Sequence, residues 1–390
     1  MTTKAIDIGL LWHSASSGNL GVGALTVANM AITRQVCAEL GLEPNFLIIS
    51  MRDGMRVYVP ESEAKVFVVD TKSLVSPGGC WKVLGAQDCV LDIGGGDSFA
   101  DIYATRRFIS VWATKMIAIW RGVPLLLSPQ TIGPFTRTPF KQMATMAMNG
   151  AAAVIARDRI SLEAIRTLAP KAHRELAVDV AFALPYEDRS AQRGGAKLKV
   201  GVNVSGLLFN EATLGANKFG LEVDYADFTR RLMRQLLDRI DVEVHILTHA
   251  TTDLPWDDDS RVADRIAEEF PGAVRVPDFG SPSEAKSYIS SLDFLVAGRM
   301  HACIAAFSSG TPMAPIAYSR KFSGLFSLLD YPWMVPVTGM DTDAALAFVF
   351  DALERRSELA DDEAKGMAKV DDLLETYREE LRKLFRSVSA

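Results

Sequence analysis

Cysteine is scarce in this chain. It has four in 390 residues, Cys37, Cys80, Cys89 and Cys303, and none stands in a C-x-x-C spacing. That speaks against a disulfide framework or a cysteine zinc site and for small buried thiols from a reducing compartment. Long uncharged apolar runs are missing too: Val111–Trp120 is broken by Lys115, and Ile289–Tyr318 by Asp293, Arg299 and His301. No transmembrane segment is expected. A signal-peptide pattern is also lacking, because Met1-Thr-Thr-Lys-Ala-Ile-Asp-Ile runs straight into a strand pattern. A cytoplasmic location is expected, with peripheral contact at the inner face of a membrane left open. Excess positive charge is absent: 42 Lys+Arg stand against 48 Asp+Glu, a net charge of −6. Such a chain does not hold nucleic acid by bulk electrostatics, although a few basic residues gathered in a cleft still suit a small anion. Finally, Gly18, Gly21 and Gly23 run in the wrong order for G-x-G-x-x-G, and no Walker lysine follows, which disfavours a nicotinamide or ATP site.

What is present is a normal globular composition, 48% apolar and 23% charged, in a length that calls for two domains. Strand patterns at Ile6–Trp12, Asn45–Ser50, Lys65–Val69, Cys89–Ile93, Pro124–Leu127 and Ala151–Ala156 alternate with helical stretches. A polar, Gly-containing segment, 186–197, then reads as a linker. The alternation restarts with strands at Lys199–Asn203, Glu243–Leu247, Ala273–Val276, Phe294–Ala297 and Met313–Ile316, and the chain is helical and charged from Asp341. Residues 204–223 read as a loop. Ser281-Pro-Ser-Glu284 is a helix-start signal. The expectation is an α/β protein of two Rossmann-like, doubly wound parallel-sheet domains, 1–185 and 198–340, followed by C-terminal helices over 341–390 that pack back across them.

Chemistry concentrates where strands end, the edge on which open α/β sheets bind ligands. Gly298-Arg-Met-His301 places an arginine and a histidine over a helix start, which suits an anionic substrate that also needs a proton; the bland alternative is a turn whose side chains cap the helix. Gly94-Gly-Gly-Asp97 lets backbone approach a ligand, or makes a tight turn in which Asp97 and Ser98 cap the next helix. Arg157 stands at another strand end, either toward a ligand or in a surface pair beside Asp158 as helix cap. His13 and His249 lie on strand-end loops as ligand contacts, whereas His173 and His245 read as structural. His249 with Asp257, Asp258 and Asp259 matches no metal cage, so no metal is expected.

With these pieces in order, the chain resembles the polysaccharide pyruvyl transferase family. The resemblance rests on Gly18-Asn-Leu-Gly21, Asp92-Ile-Gly-Gly-Gly96 through Asp101, Gln130-Thr-Ile-Gly-Pro-Phe135, Arg157-Asp-Arg-Ile-Ser161, Asp179-Val-Ala-Phe182, Thr248-His249, Gly298-Arg-Met-His301, Gly310-Thr-Pro312 and Tyr318-Ser-Arg-Lys321. It implies a GT-B-like fold whose domains face across a cleft, the N-terminal one on the acceptor side. It also implies transfer of pyruvate from phosphoenolpyruvate, a co-substrate rather than a cofactor, to a sugar of a cell-surface polysaccharide or its lipid-linked precursor as a ketal. By the same resemblance, His301 is the acid, and Arg299, Met300 and Arg157 meet the donor with help from Lys321. Asp97 and Asp101 are candidate bases, and Gly95, Gly96, Asn19, His13 and His249 line the substrates. Arg299 and the helix start both oppose a charged His301, so an acidic neighbour is expected. One departure is Val22, where the family's first loop usually carries an acid. A nucleotide-sugar glycosyltransferase and a non-catalytic sugar- or phosphate-binding relative remain as alternatives, and homo-oligomerisation is left open.

Overall fold

Runs such as Cys89-Val-Leu-Asp92, Ala153–Ala156 and Phe294–Ala297 are buried at every residue. Strands of that kind belong to parallel sheets covered on both faces. The computed structural model describes residues 4–52, 54 and 57–389 and shows two such sheets, each within its own compact unit.

The first unit gathers residues 1–17, 25–183 and 370–390. Its strands are β1 (Lys4–Leu11), β2 (Leu42–Ser50), β3 (Ala64–Val68), β4 (Cys89–Asp92), β5 (Leu125–Gln130), β6 (Ala153–Ala156) and β7 (Arg174–Leu176). They lie in the order β3-β2-β1-β4-β5-β6-β7, all parallel. Helices α1 (Leu20–Glu39), α2 (Thr71–Val75), α3 (Cys80–Leu84), α4 (Thr105–Trp120), α5 (Thr138–Gly150) and α6 (Arg159–Leu168) connect them. The order reverses between β1 and β4, the place where such sheets open a crevice.

The second unit, residues 18–24 and 184–369, repeats the plan. Its strands β8 (Leu198–Asn203), β9 (Val242–Leu247), β10 (Val274–Arg275), β11 (Phe294–Ala297) and β12 (Met313–Pro315) run in the order β10-β9-β8-β11-β12 and are parallel throughout. Here the reversal lies between β8 and β11. Helices α7 (Gly206–Thr213), α8 (Tyr225–Leu237), α9 (Asp259–Glu269), α10 (Pro282–Ile289), α11 (Met300–Phe307), α12 (Arg320–Leu328) and α13 (Thr342–Glu354) belong to it. The last helix, α14 (Arg356–Ser389), counts with the second unit through Lys369 and with the first from Val370.

Several expectations need correction. Residues 204–223 are not all loop: Ser205 caps α7 by accepting from the Leu208 N–H, and the helix buries Leu208 and Phe209. Strand β7 carried no apolar signal because it is a three-residue, half-exposed edge. Asp97 and Ser98 do not cap α4. Its cap position is Ala104, without a side-chain bond, while Asp97 accepts from Tyr103 and Ser98 from Arg107. The helix start at Ser281 is observed, with Pro282 in the first turn and Ser281 accepting from the Glu284 N–H.

The polar segment 186–197 is tied down along its length. The N–H groups of Glu187 and Arg189 donate to Ser287 and Ser290, and the Arg193 guanidinium donates to Ser290 O, Ser309 O and Thr311. Composition signalled polarity; the bonds those polar groups make turn the segment into a strap on α10.

Candidate functional site

In the second unit, strand β11 ends and α11 begins at Gly298-Arg-Met-His301. Arg299 holds the cap position through its backbone only, so its side chain is not the helix cap. Its N–H donates to Asn203 Oδ1 at the end of β8 (3.0 Å), which ties together the two strands of the reversal point. The guanidinium is enclosed by carboxylates: Nε and Nη2 meet Asp259 Oδ1 at 3.0 and 2.8 Å, and Nη1 meets Asp257 Oδ1 at 2.8 Å. Burial alone would lower the arginine's pKa, yet Asp259 and Asp257 outweigh it and raise the value further, so the group stays charged.

Asp259 is the hub of this arrangement. It is fully buried and also accepts from the N–H groups of Gly206 (2.8 Å), His249 (3.0 Å) and Ala250 (3.1 Å). One carboxylate therefore fixes the loops after β8, β9 and β11. The Asp run reads as a helix-start charge cluster in sequence. Asp258 does cap α9, through Ser260 N (3.2 Å), while its neighbours on both sides hold Arg299. All three carboxylates are engaged in this way.

The loop Gly18–Gly21 belongs to this same unit. Leu20 N donates to His249 O (3.1 Å), Thr251 N to Gly18 O (2.9 Å), and Asn19 bridges to Ala250. Asn19 spends its side-chain oxygen on the Gly21 N–H (3.0 Å). Gly21 is required by close approach, since a Cβ there would lie 2.2 Å from His301 Nδ1. The histidine ring is therefore seated directly on the backbone of the G-N-L-G turn. His249, nearly buried beside it, is driven down to a pKa of about 3, first by burial and then by the positive potentials of His301 and Arg299, so it is neutral at ordinary pH. Met300 and Lys321 sit half-buried at the starts of α11 and α12.

The first unit holds the other predicted residues. Gly94, Gly95 and Gly96 take φ of 55°, 56° and 90°, a left-handed run that favours glycine. Beneath the turn, Asp92 accepts the Gly94 N–H (2.7 Å) and pairs with Lys115 (2.6 Å), both fully buried. Asp97 accepts from Tyr103 Oη (2.7 Å), and the Arg107 guanidinium lies 4.8 Å over the Tyr103 ring. Arg157 is buried: Nη1 donates to Asp179 (2.7 Å) and Nε to Thr131 (2.9 Å). It is no surface partner of Asp158, which caps α6.

Two further predicted site residues have polar atoms engaged inside the first unit. His13 is fully buried, with its ring nitrogens against Leu11 O (3.1 Å) and Asn29 Nδ2 (2.9 Å), in a chain that continues through Tyr377 to Ser128. Burial holds its pKa near 3, making it a neutral structural residue. Asp101 accepts from Thr136 N (2.6 Å), Thr136 Oγ1 (3.0 Å) and Arg137 N (2.9 Å); burial opposes its ionisation, those bonds favour it, and its pKa ends below the usual value. Those bonds build the approach to α5. Tyr103, Arg107 and Asp259 were missed. The first two lie beyond the glycine motif, and the third was masked by its acidic neighbours.

The model of the family described as polysaccharide pyruvyl transferase matches residues 19–320, which include Asn19-Leu-Gly21, the triple glycine and the Arg299–His301 turn. The chain belongs to the polysaccharide pyruvyl transferase family. Among relatives of this family member is the amylovoran biosynthesis protein AmsJ of Erwinia amylovora, 21% identical over 73% of this chain and 70% of AmsJ. Similar solved structures include the sucrose-phosphate synthase of Thermosynechococcus elongatus, with a TM-score of 0.58 and 12% identity over 98% and 99% of the two chains. A putative UDP-N-acetylglucosamine 2-epimerase of Listeria monocytogenes gives 0.58 and 11% over 92% and 90%. These neighbours establish the GT-B-like fold class. Among the described residues no helix is long and apolar enough to cross a membrane.

Proposed function

We propose that this transferase moves pyruvate from phosphoenolpyruvate onto two hydroxyls of a polysaccharide sugar or its lipid-linked precursor, forming a ketal and releasing phosphate. The observation that carries this reading is the seat of His301: at the start of α11, on Gly21, beside a neutral His249 and an arginine already neutralised by two carboxylates. An acid catalyst needs a fixed position within reach of the group it protonates.

In this scheme His301 gives its proton to the vinyl methylene carbon, which becomes a methyl group. The first sugar hydroxyl bonds to the adjacent carbon and loses its proton to a base. The carbon–oxygen bond to phosphate then breaks, phosphate leaves, and the second hydroxyl closes the ketal as its proton departs. Asp97 is the candidate base. Lys321 is a candidate contact for the phosphate, and Arg157 for an anionic substrate group, because an arginine holding one carboxylate keeps N–H donors to offer. Arg299, with two carboxylates, acts by building the turn rather than as an anion clamp.

The test is to supply phosphoenolpyruvate with galactosides or mannosides and follow phosphate and the proton spectrum. A new ketal methyl singlet with stoichiometric phosphate is expected. Turnover of UDP- or GDP-sugars that needs no phosphoenolpyruvate would overturn the reading.

A further inference from the structure

The chain is acidic overall, yet none of its 48 Asp and Glu residues falls within Thr71–Gln87 or Ile102–Arg157. The structure packs the helices of these two acid-free stretches, α2, α3, α4 and α5, against one another in the first unit. Arg106 on α4 donates to Thr71 on α2 (2.7 Å), Arg121 after α4 lies 5.4 Å over the Trp81 ring on α3, and Trp112 Nε1 donates to Met143 O on α5 (2.9 Å). The inner side of the layer is ordinary core: Cys80, Leu84, Phe108, Val111, Phe140 and Ala144 are all buried.

The outer side is not ordinary. Val75 is 81% exposed, Trp81 42% and Trp120 59%, joined by Ile109 on α4 and Met146 on α5. Ile109 and Trp120 are eleven residues apart, three turns of helix, and so share one face of α4 with the exposed Arg106. Exposed cations are interleaved with them: Lys72, Lys82, Arg121, Arg137 and Lys141. Exposed single apolar residues need no explanation, but tryptophans set among cations do, on a face whose acids stand at its margins, Asp70 capping α2 and Asp101 paired with Arg137. Tryptophan suits the water–lipid boundary, where its ring is buried and its N–H stays wet, and lysine or arginine beside it attracts anionic headgroups.

We infer that the α2–α5 face of the first unit is a docking surface for an anionic lipid bilayer. It binds peripherally, with Trp81 and Trp120 entering the headgroup region and the surrounding cations supplying the attraction. The inference stands on this face alone and does not depend on the reaction proposed above. A bilayer fits better than nucleic acid because the tryptophans and aliphatic residues share the face with the cations.

The test is sedimentation of the full chain with vesicles of phosphatidylcholine alone and with about one-third phosphatidylglycerol. Binding only to the anionic vesicles is expected, weakening as salt rises. Lys72→Gln with Lys82→Gln should lower the partition by about five-fold per cation removed. Trp81→Ser with Trp120→Ser should lower it at least ten-fold, with an unchanged melting temperature showing that the fold survives. Equal binding to neutral vesicles, no binding to either, or variants that bind like the parent would overturn the proposal. So would tighter binding to single-stranded RNA than to vesicles, or a self-association that the tryptophan changes abolish while vesicle binding is absent.

Discussion

Each unit ends a strand in an arginine pinned by buried acid, and the two arginines differ in how much of themselves remains. Arg157 holds one carboxylate, Asp179, plus the Thr131 hydroxyl. Arg299 holds two, Asp257 and Asp259, and its charge is more than balanced. The same residue type at the same kind of sheet edge is therefore held in two ways. Arg157 bonds through Nε and Nη1 only, whereas Arg299 commits Nε, Nη1 and Nη2 inside its own unit. A guanidinium has a fixed fork of five N–H groups, and donors already committed inside the fold are not free for substrate.

The largest expected effect separates chemistry from architecture in the second unit. His301→Ala should lower turnover by roughly a hundred- to ten-thousand-fold while leaving phosphoenolpyruvate stabilisation of the fold intact, measured as kcat and as a ligand-induced Tm shift. Arg299→Ala should instead cost about 3–5 kcal/mol of stability, because Asp259 is left buried without its cation. Denaturant unfolding checks it, and a stable but inactive variant would return Arg299 to the substrate. Asp257→Asn sharpens the contrast from the other side. It removes one partly exposed carboxylate from Arg299 and should cost at most about 1 kcal/mol of stability, with phosphoenolpyruvate binding unchanged by titration. Binding tightened several-fold would return Arg299 to the substrate.

The units share a pH response. His13 in the first and His249 in the second are held neutral, with pKa lowered to about 3. Unfolded histidine binds a proton below about 6.5, so the unfolded state takes up protons that the native state refuses. Stability is therefore full above 6.5 and falls as pH drops toward 3, by up to about 1.4 kcal/mol per pH unit for each histidine. Unfolding at pH 7 and pH 5.5 measures the slope, and His13→Asn should flatten the first unit's share. The smallest effect belongs to Tyr103→Phe, about 1 kcal/mol of stability from one lost hydrogen bond to Asp97. A much larger loss of turnover with intact stability would make Tyr103 a substrate contact.

Much of this was legible in the sequence because parallel strands are continuous apolar runs and their ends are marked by glycine and polar residues. The Arg299–His301 turn stood out for that reason. What stayed hidden were partners distant in sequence. Nothing local distinguishes Asp259 from Asp257 and Asp258, and only the fold brings it under three loops. His13 looked like a loop residue, but its ring turns inward to Asn29. Helix α7 was missed because Gly206-Leu-Leu-Phe offers no polar period at its start. The G-N-L-G turn follows the first strand yet counts with the second unit, an assignment that no reading of neighbours along the chain supplies.

The central claim is that His301 protonates the vinyl carbon of the donor, and running the reaction in D2O tests it most directly. With phosphoenolpyruvate and a sugar acceptor, the account predicts a ketal methyl group carrying one deuterium, formed by the parent protein and nearly abolished in His301→Ala. A methyl group formed at the parental rate by that variant would contradict it.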